Sequence, residues 1–274
     1  MANDEDNRSQ RSWWSSFRGH PGEGLFDAVK HSDLKKVRKL LGQGATLDYR
    51  DRKTGGTALH AAVERGCRSE VVRFLIEQMV LEDGGNGLSL KDKHGQAPLH
   101  LAAARGHAAA VGILLDHGVD PDVRDNDRLT PLHAAAGGGH LEAVRRLLAG
   151  GADPTRADKQ GDLPLHRAMR QGLSVDLVRA LAAATPPGAA DARGALGRTA
   201  LWLAAFHGRA NAVQVLVEFG ADPRIPGRPG GAASPPEKPG QAFHWLVLPG
   251  DKRRTREAVA KGVGLVQAAE RQAA

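Results

Sequence analysis

The feature of this sequence that most restricts its fold is a short motif that returns along the chain at nearly constant spacing. It reads TALH ending at His60, APLH at His100, TPLH at His133 and LPLH at His166, and a last version, TALW, ends at Trp202. The intervals between these positions are 40, 33, 33 and 36 residues. A period of 33 residues with small insertions indicates an array of repeated structural units, not one globular core.

Each repeat carries the signals of two short helices. In the repeat around the third motif, Thr130 is a good N-cap and Pro131 suits the first helical position. The glycines at 137–139 predict the end of this helix, and a second helix with apolar residues at helical spacing is predicted to begin near His140. Gly151 provides a left-handed stop after the second helix.

A helix pair of this size cannot bury its own apolar stripe, so neighbouring repeats must stack. The pattern D-x-x-G-x-T-P-L-H-x-A-A-x-x-G-H, followed by a second helix ending in G-A-D, resembles the ankyrin repeat. An earlier repeat, which aligns Leu25 with Leu59, gives about six repeats over residues 22–225. The resemblance implies an all-α solenoid of stacked helix-turn-helix repeats with β-hairpin-like arms, in which Gly161 permits a positive φ at one arm tip.

Departures from the pattern mark the places where this chain differs from the family. The second repeat lengthens between Glu77 and Leu88, Arg128 replaces an arm glycine, and Trp202 replaces the motif histidine. The expected domain organisation is a flexible tail over 1–21, the ankyrin array over 22–225, a Pro/Gly-rich linker over 226–241 and a C-terminal helical segment over 242–274. That last segment resembles a degenerate capping repeat.

The residues that could carry chemistry fit structural roles better. In ankyrin repeats the motif histidine braces neighbouring repeats, whereas a metal site needs three or four ligands converging on one point. Cys67 replaces the family's second histidine, at the start of a helix, with no base or orienting group in the pattern beside it. We therefore expect a protein that is not an enzyme and that has no catalytic residues, metal or cofactor.

Charge and cysteine content restrict the partner and the compartment. The 274 residues carry a net charge of +7 with a pI near 9.8, which favours acidic partners. One cysteine cannot form an internal disulfide, so a reducing compartment is expected: the cytoplasm, with the nucleus as the alternative. No run approaches the eighteen consecutive apolar residues of a membrane span, and no small-molecule substrate is indicated.

The resemblance implies a scaffold or adaptor that binds a partner protein with an acidic surface through the concave face of the array. The contact positions of the family fall on arm tips and first helices. In the arms they are Arg52, Lys53, Lys93, His94, Gln96, Asn126, Asp127, Leu129, Lys159, Gln160, Asp162 and Arg198. On first helices they are Glu64, Arg65, Ala104, Arg105, Arg170, Gln171, Phe206 and His207. The alternatives are a regulatory subunit or inhibitor of an enzyme, a basic binder of nucleic acid or another anionic surface, and, for several of these residues, ordinary solvent-facing positions.

The ends of the array need covering because a terminal repeat exposes an apolar face. Aromatic residues of the N-terminal tail are predicted to pack on the first repeat: Trp13, Trp14 and Phe17. Apolar residues of the C-terminal segment are predicted to pack on the last repeat: Phe243, Trp245, Leu246, Val259, Val263 and Val266. For both segments the alternative is a peptide that docks onto a partner.

Overall fold

The computed structural model of the protein describes residues 21–171, 174–186, 188–222 and 225, and all their regular structure is helical. It forms two compact units. Unit 1 contains the described residues up to 102 together with 109–120, and unit 2 contains 103–108 and the described residues from 121 onward. The α-helices of the described residues are α1 (Pro21–Lys30), α2 (Leu34–Gly42), α3 (Ala58–Arg65), α4 (Ser69–Asp83), α5 (Pro98–Ala104), α6 (Ala108–Asp116), α7 (Pro131–Gly138), α8 (Leu141–Ala149), α9 (Pro164–Gln171), α10 (Val175–Ala184), α11 (Ala200–Phe206) and α12 (Ala210–Glu218). Short 3₁₀ helices lie at Asn86–Ser89, Ala189–Asp191 and Ala195–Gly197.

The helix boundaries follow the local signals of the sequence. Helix α7 has Thr130 as its N-cap and Pro131 as its first residue, and it ends at Gly139, whose φ of 78° is left-handed. Helix α8 begins at Leu141 after His140. The two helices predicted for this repeat are therefore confirmed, and their start and stop residues are those expected from capping chemistry.

The motif histidine His133 ties the start of helix α7 to the following repeat. His133 is fully buried, and its Nδ1 atom accepts hydrogen bonds from the backbone N–H of Thr130 (3.2 Å) and from the hydroxyl of the same residue (2.9 Å). Its Nε2–H donates to the carbonyl of Asp162, 2.9 Å away. Because Nδ1 serves as an acceptor, these contacts require a neutral ring with its proton on Nε2.

The same bridge occurs at two other motif histidines. In unit 1, Nε2 of His60 donates to the carbonyl of Gln96 at 3.1 Å, and in unit 2, Nε2 of His166 donates to the carbonyl of Ala192 at 3.0 Å. Burial disfavours the charged ring, so the pKa values of His60 and His166 are lowered, and the pKa of His133 falls from 6.5 to about 4. The structural role predicted for these histidines is confirmed.

Stacked helices of like kind form the core. In unit 2 the first helices α7, α9 and α11 pack in series, as do the second helices α8, α10 and α12, and in unit 1 helix α1 packs against α2 and α3. Small and branched side chains fill the spaces: Leu132, Ala135, Val144 and Leu147 are each 0% exposed. Closely approaching helices leave little room for rings, which agrees with the aromatic content of only 4%.

The arms are tight turns, and the described residues contain no β-strand. Backbone hydrogen bonds close these turns, such as the N–H of Asp125 to the carbonyl of Leu129 and the N–H of Asp158 to the carbonyl of Asp162, both 3.0 Å. Gly161 has the predicted positive φ, 84°, at its arm tip. Arg128 adopts a φ of 60° where the family has glycine, a conformation that an L-residue rarely takes.

The lengthened second repeat extends its second helix. Helix α4 runs to Asp83, and the 3₁₀ helix Asn86–Ser89 then returns the chain to the core at Leu88, which is 2% exposed. The extension leaves Leu81 78% exposed. The insertion between Glu77 and Leu88 therefore takes the form of a longer helix end followed by a short 3₁₀ helix.

Several predictions concern residues outside the described part of the chain. These are the tail, linker and C-terminal segments and the proposed caps: Trp13, Trp14, Phe17, Phe243, Trp245, Leu246, Val259, Val263 and Val266. Within the described part, no helix combines the length and the apolar character needed to cross a membrane.

Candidate functional site

A groove in unit 1 brings together five of the predicted contact residues. It has a volume of about 460 Å³ and lies between the first helices α1 and α3 and the arms at 51–57 and 92–96. The predicted residues that line it are Lys53, Glu64, Arg65, His94 and Gln96. Positions predicted from the repeat register therefore lie together on one continuous surface formed by two arms and one helix. We call this surface the unit 1 groove.

Two acidic residues of the unit 1 groove, Asp51 and Asp92, shape its arms. Asp51 accepts hydrogen bonds from the backbone N–H and the hydroxyl of Thr54, both at 2.9 Å, and the backbone bond is the main reason that its pKa is lowered. Asp92 accepts from the backbone N–H groups of His94 (2.8 Å) and Gln96 (2.9 Å). These carboxylates hold the turns, as aspartate does in many tight turns.

Two basic side chains of the groove make no contact that shapes its arms. Lys53 and Arg65 are exposed, and neither side chain has a hydrogen-bond or ion-pair partner among the described residues. Lys30, on helix α1, also lines the groove and helps to lower the pKa of Asp51. The groove therefore offers cationic donors beside carboxylates that are already hydrogen-bonded to the backbone.

Lys93 differs from these residues although it is exposed. Its Nζ atom donates to the carbonyls of Arg52 (2.5 Å) and Lys53 (2.9 Å) in the preceding arm. A comparable link in unit 2 joins Lys159 to Asp127 by an ion pair of 3.5 Å. Lysine at this arm position connects neighbouring arms, and Arg52 presents its side chain to solvent beside such a link.

In unit 2 the predicted positions are mostly accessible but do not form one groove. The exposed ones are Ala104, Arg105, Asn126, Asp127, Lys159, Gln160, Arg170, Gln171, Phe206 and His207, and the half-buried ones are Leu129 and Arg198. Their distribution over successive arms and first helices is that of an extended surface within this unit. Binding along such a surface depends on several separate contacts.

The prediction of Asp162 as a contact residue is corrected by its burial. The side chain is 0% exposed, its Oδ1 accepts from the backbone N–H of Ala195 at 2.7 Å, and its carboxylate pairs with Arg170 at 2.6 Å. A Cβ atom at Gly194 would overlap with this carboxylate. Asp162 therefore connects consecutive arms, and its ion pair partly neutralises the charge of Arg170.

Trp202 was not among the predicted contact residues, although it lies at the surface of unit 2. Trp202 is half-buried and stacks on Phe206, and the guanidinium of Arg198 lies over its ring. The departure from the histidine motif at this position was visible in the sequence. The arrangement with Arg198 was not, because it depends on how the arm folds back onto helix α11.

The described part of the chain contains no arrangement of side chains suited to nucleophilic catalysis or metal binding. The thiol of Cys67 donates to the carbonyl of Val29 at 3.0 Å, which joins the turn between α3 and α4 to helix α1. The described residues include no group of three or more His, Cys, Asp or Glu side chains placed to hold a metal ion. The accessible features are surfaces, and they suit recognition.

The paired helices, capped starts and histidine bridges define a helix-pair repeat protein. A family model described as ankyrin repeats (3 copies) matches residues 25–125 and 158–227, and a second, described as ankyrin repeats (many copies), matches residues 114–168. The chain belongs to the ankyrin-repeat family. The fold class predicted from the repeat register is thereby confirmed.

The chain is similar to parts of several curated proteins. Protein phosphatase 1 regulatory subunit 12A of Mus musculus is 39% identical over 87 residues, which cover 32% of this chain and 8% of that protein. SH3 and multiple ankyrin repeat domains protein 2 of Homo sapiens is 31% identical over 97 residues, covering 35% and 5%. A putative ankyrin repeat protein of Rickettsia felis is 32% identical over 94 residues, covering 34% and 23%.

These matches span only a small part of each relative. Most of each relative's sequence lies outside the matched segment, so the likeness concerns the repeats and not the whole proteins. Ankyrin repeats act as protein-interaction modules, and this chain carries such a module. The family is generally non-catalytic.

Proposed function

We propose that the protein is a non-enzymatic scaffold or adaptor that binds an acidic surface of a partner protein through its arms and first helices. The observation that carries this proposal is the unit 1 groove, in which Lys53 and Arg65 offer donors that no described residue accepts. Carboxylates of a partner would complement these donors, and the groove walls would exclude water around the pairs. Charge complementarity of this kind guides association and sets specificity.

The recurring interior motif of the repeats supports a surface role by elimination. The buried polar groups of the motif, such as Thr130 and His133, are fully used in capping and bridging. Arm and first-helix positions differ between repeats, and many of their side chains reach solvent. Ankyrin arrays bind through such positions, and the repeat framework holds them rigidly.

A second candidate function is regulation of an enzyme. One relative is protein phosphatase 1 regulatory subunit 12A of Mus musculus, which is similar to this chain over 87 residues. In that case the array docks onto the enzyme, and the acidic surface is part of the enzyme.

For the location of the protein we propose the cytoplasm, supported by the single cysteine, with imaging of the tagged protein in cells as the test.

Two charge-matched double variants of unit 1 test the proposed function. The variant Lys53→Glu/Arg65→Glu reverses the groove charges, and Lys35→Glu/Lys36→Glu reverses two exposed charges on helix α2. Partners captured by the wild-type full chain are identified by mass spectrometry, and one of them is purified for titration against all three proteins. We expect the groove variant to bind at least about tenfold more weakly, since one lost charged contact is often worth 1 to 2 kcal/mol, and the α2 variant to bind as the wild type does.

Equal losses in both variants would contradict a groove-directed contact and favour diffuse attraction. A nucleic-acid partner would then be tested by titrating the wild type with duplex DNA at several salt concentrations. The logarithm of its affinity would fall by about 0.9 for each phosphate contacted per logarithmic unit of salt. Circular dichroism of each variant confirms that the fold is kept.

A further inference from the structure

Three side chains of unit 2 form a stacked cluster at the last described arm and first helix. The rings of Trp202 and Phe206 lie nearly parallel, with centroids 4.8 Å apart and an interplanar angle of 12°. The guanidinium carbon of Arg198 lies 4.4 Å from the centre of the Trp202 ring and 6.0 Å from that of Phe206. His207 meets Phe206 edge-on at 5.3 Å. We call Arg198, Trp202, Phe206 and His207 the aromatic–arginine platform.

The platform can form because the side chain at position 202 does not make the buried bridge that the motif histidine makes elsewhere. At the equivalent position His133 is 0% exposed and bridges to the next repeat. Trp202 is half-buried instead, and its helix start is capped by Thr199, whose hydroxyl accepts from the backbone N–H of Trp202 at 3.1 Å. The cap therefore does not need the side chain at 202, which is left to build a surface with Phe206, itself 37% exposed.

Arg198 can receive an anion while it remains stacked. A guanidinium lying flat on a ring keeps its N–H donors in its own plane, pointing away from the stack, and such a fork matches a carboxylate. Among the described residues the Arg198 guanidinium has ring contacts but no hydrogen-bond or ion-pair acceptor. Its donors are held in place by the two rings, so little freedom is lost when an acceptor binds.

The surrounding charge also favours an anion. No Asp or Glu occurs between residues 192 and 217, a stretch that contains three arginines and His207. The pKa of His207 is lowered, first by partial desolvation and then by the positive charges of Arg209, Arg170 and Arg198. Arg209 donates to the carbonyls at the end of helix α9, and Arg170 is paired with Asp162. Arg198 is thus the arginine of this surface best placed to take a new carboxylate.

We infer that the aromatic–arginine platform binds a segment of the partner protein in which an aromatic residue is flanked by glutamate or aspartate. The aromatic residue packs on the exposed part of Phe206, and a neighbouring carboxylate pairs with Arg198. Aromatic and arginine side chains are the residues that most often carry the binding energy of an interface. The inference rests on the proposed function and adds the chemistry of the bound segment.

A partner segment fits this surface better than the protein's own C-terminal segment does. Residues 242–274 contain six basic and three acidic residues, so that segment has the same sign of charge as the platform. Charge complementarity therefore selects an acidic segment from another protein. If the chain's own C-terminal segment occupied the platform instead, the probe peptide would fail to bind, and that result would overturn the inference.

Three synthetic peptides probe the platform on the full-length protein. The first has a tryptophan between two pairs of glutamates, the second replaces the tryptophan by serine, and the third replaces every glutamate by glutamine. Each carries fluorescein, and binding is followed by fluorescence anisotropy. We expect the first peptide to bind more tightly than either of the others, since each of these lacks one of the two contacts.

Single substitutions then locate the binding. Arg198→Met and Phe206→Ala should each weaken the first peptide about tenfold, whereas Arg145→Met, which removes an exposed arginine from helix α8 of the same unit, should leave its affinity unchanged. No binding of the first peptide, or equal weakening by Arg198→Met and Arg145→Met, would overturn the inference. Neither result bears on the groove variants of unit 1, so the proposed function is judged separately. Melting temperatures of the variants show whether each is folded.

Discussion

Helices α7 and α11 of unit 2 begin in the same way and then use the fourth motif position for different purposes. Thr130 and Thr199 are both N-caps, and Pro131 and Ala200 both open their helices. At the next but one position His133 is buried and joins two repeats, whereas Trp202 is half-buried and stacks with Arg198. The comparison shows that threonine is the N-cap at both helix starts and that the histidine adds a bridge to a following repeat.

Acid should produce the largest difference between the two helix starts. In the native state the pKa of His133 is about 4, compared with 6.5 for a free histidine, so the unfolded chain binds more protons between these values. The stability from this group is complete above pH 6.5 and is lost as the pH falls towards 4, by on the order of 3 kcal/mol. His60 and His166, with pKa values also lowered by burial, add losses of the same sign.

Urea unfolding at several pH values between 7 and 4.5 measures this loss. A His133→Gln variant should show a shallower decline in its free energy of unfolding than the wild type over the same range. Parallel declines would mean that His133 is not the titrating group. A His207→Gln variant is the exposed control and should follow the wild type more closely.

Removing the bridge should be the next largest effect. His133→Ala removes the acceptor of the Thr130 N–H in a buried site, leaves the carbonyl of Asp162 with only the N–H of Asp158, and adds a cavity. We expect a loss of about 3 kcal/mol in the free energy of unfolding, measured by urea denaturation at pH 7.5. A loss below about 1 kcal/mol would show that water replaces the ring at little cost.

Substitution of the buried aspartate should cost somewhat less. Asp162→Asn removes the charge that pairs with Arg170 while keeping the size of the side chain, and Arg170 is itself partly exposed. We expect a loss of about 2 kcal/mol, because the remaining arginine can turn to solvent. Asp127→Asn is the matched control, since the Asp127 carboxylate is exposed and its ion pair with Lys159 is worth little. Equal effects would contradict the role of Asp162 in connecting consecutive arms.

The smallest loss of stability is expected for substitution of Trp202. Trp202→Ala removes a half-buried ring but leaves the cap of Thr199 intact, so a loss of about 1 kcal/mol is expected. Thermal melting of the full chain is sufficient to detect it. If Trp202→Ala destabilised the protein as much as His133→Ala, the tryptophan would be a structural replacement for the histidine and the distinction drawn here would be wrong.

Local chemistry made most of the fold predictable. The N-cap at Thr130, the glycine stop at Gly139 and the positive φ of Gly161 each follow from the preference of one residue for one backbone conformation, and all are present. The repeat register then placed five contact residues around the unit 1 groove. Such features depend on residues close in sequence or one repeat apart.

What could not be predicted depends on side chains meeting across turns. Asp162 looks like any polar arm residue, and its burial follows from the positions of Arg170 and Ala195 in the folded unit. The stack of Arg198 on Trp202 similarly requires the arm to fold back onto helix α11. Register assigns a residue to a face, but the partner of that residue is set by tertiary structure.

The lengthened helix α4 has a practical consequence for protein engineering. The bridge from His60 to Gln96 spans 36 residues and the bridge from His133 to Asp162 spans 29, yet their lengths are 3.1 and 2.9 Å. The additional residues therefore leave the geometry of the bridge intact, and loop length costs little once the ends are held. The turn at Gly84 and Gly85 is accordingly a suitable insertion point for an affinity tag, a fluorescent reporter or a second binding domain, with the repeats on either side kept in register.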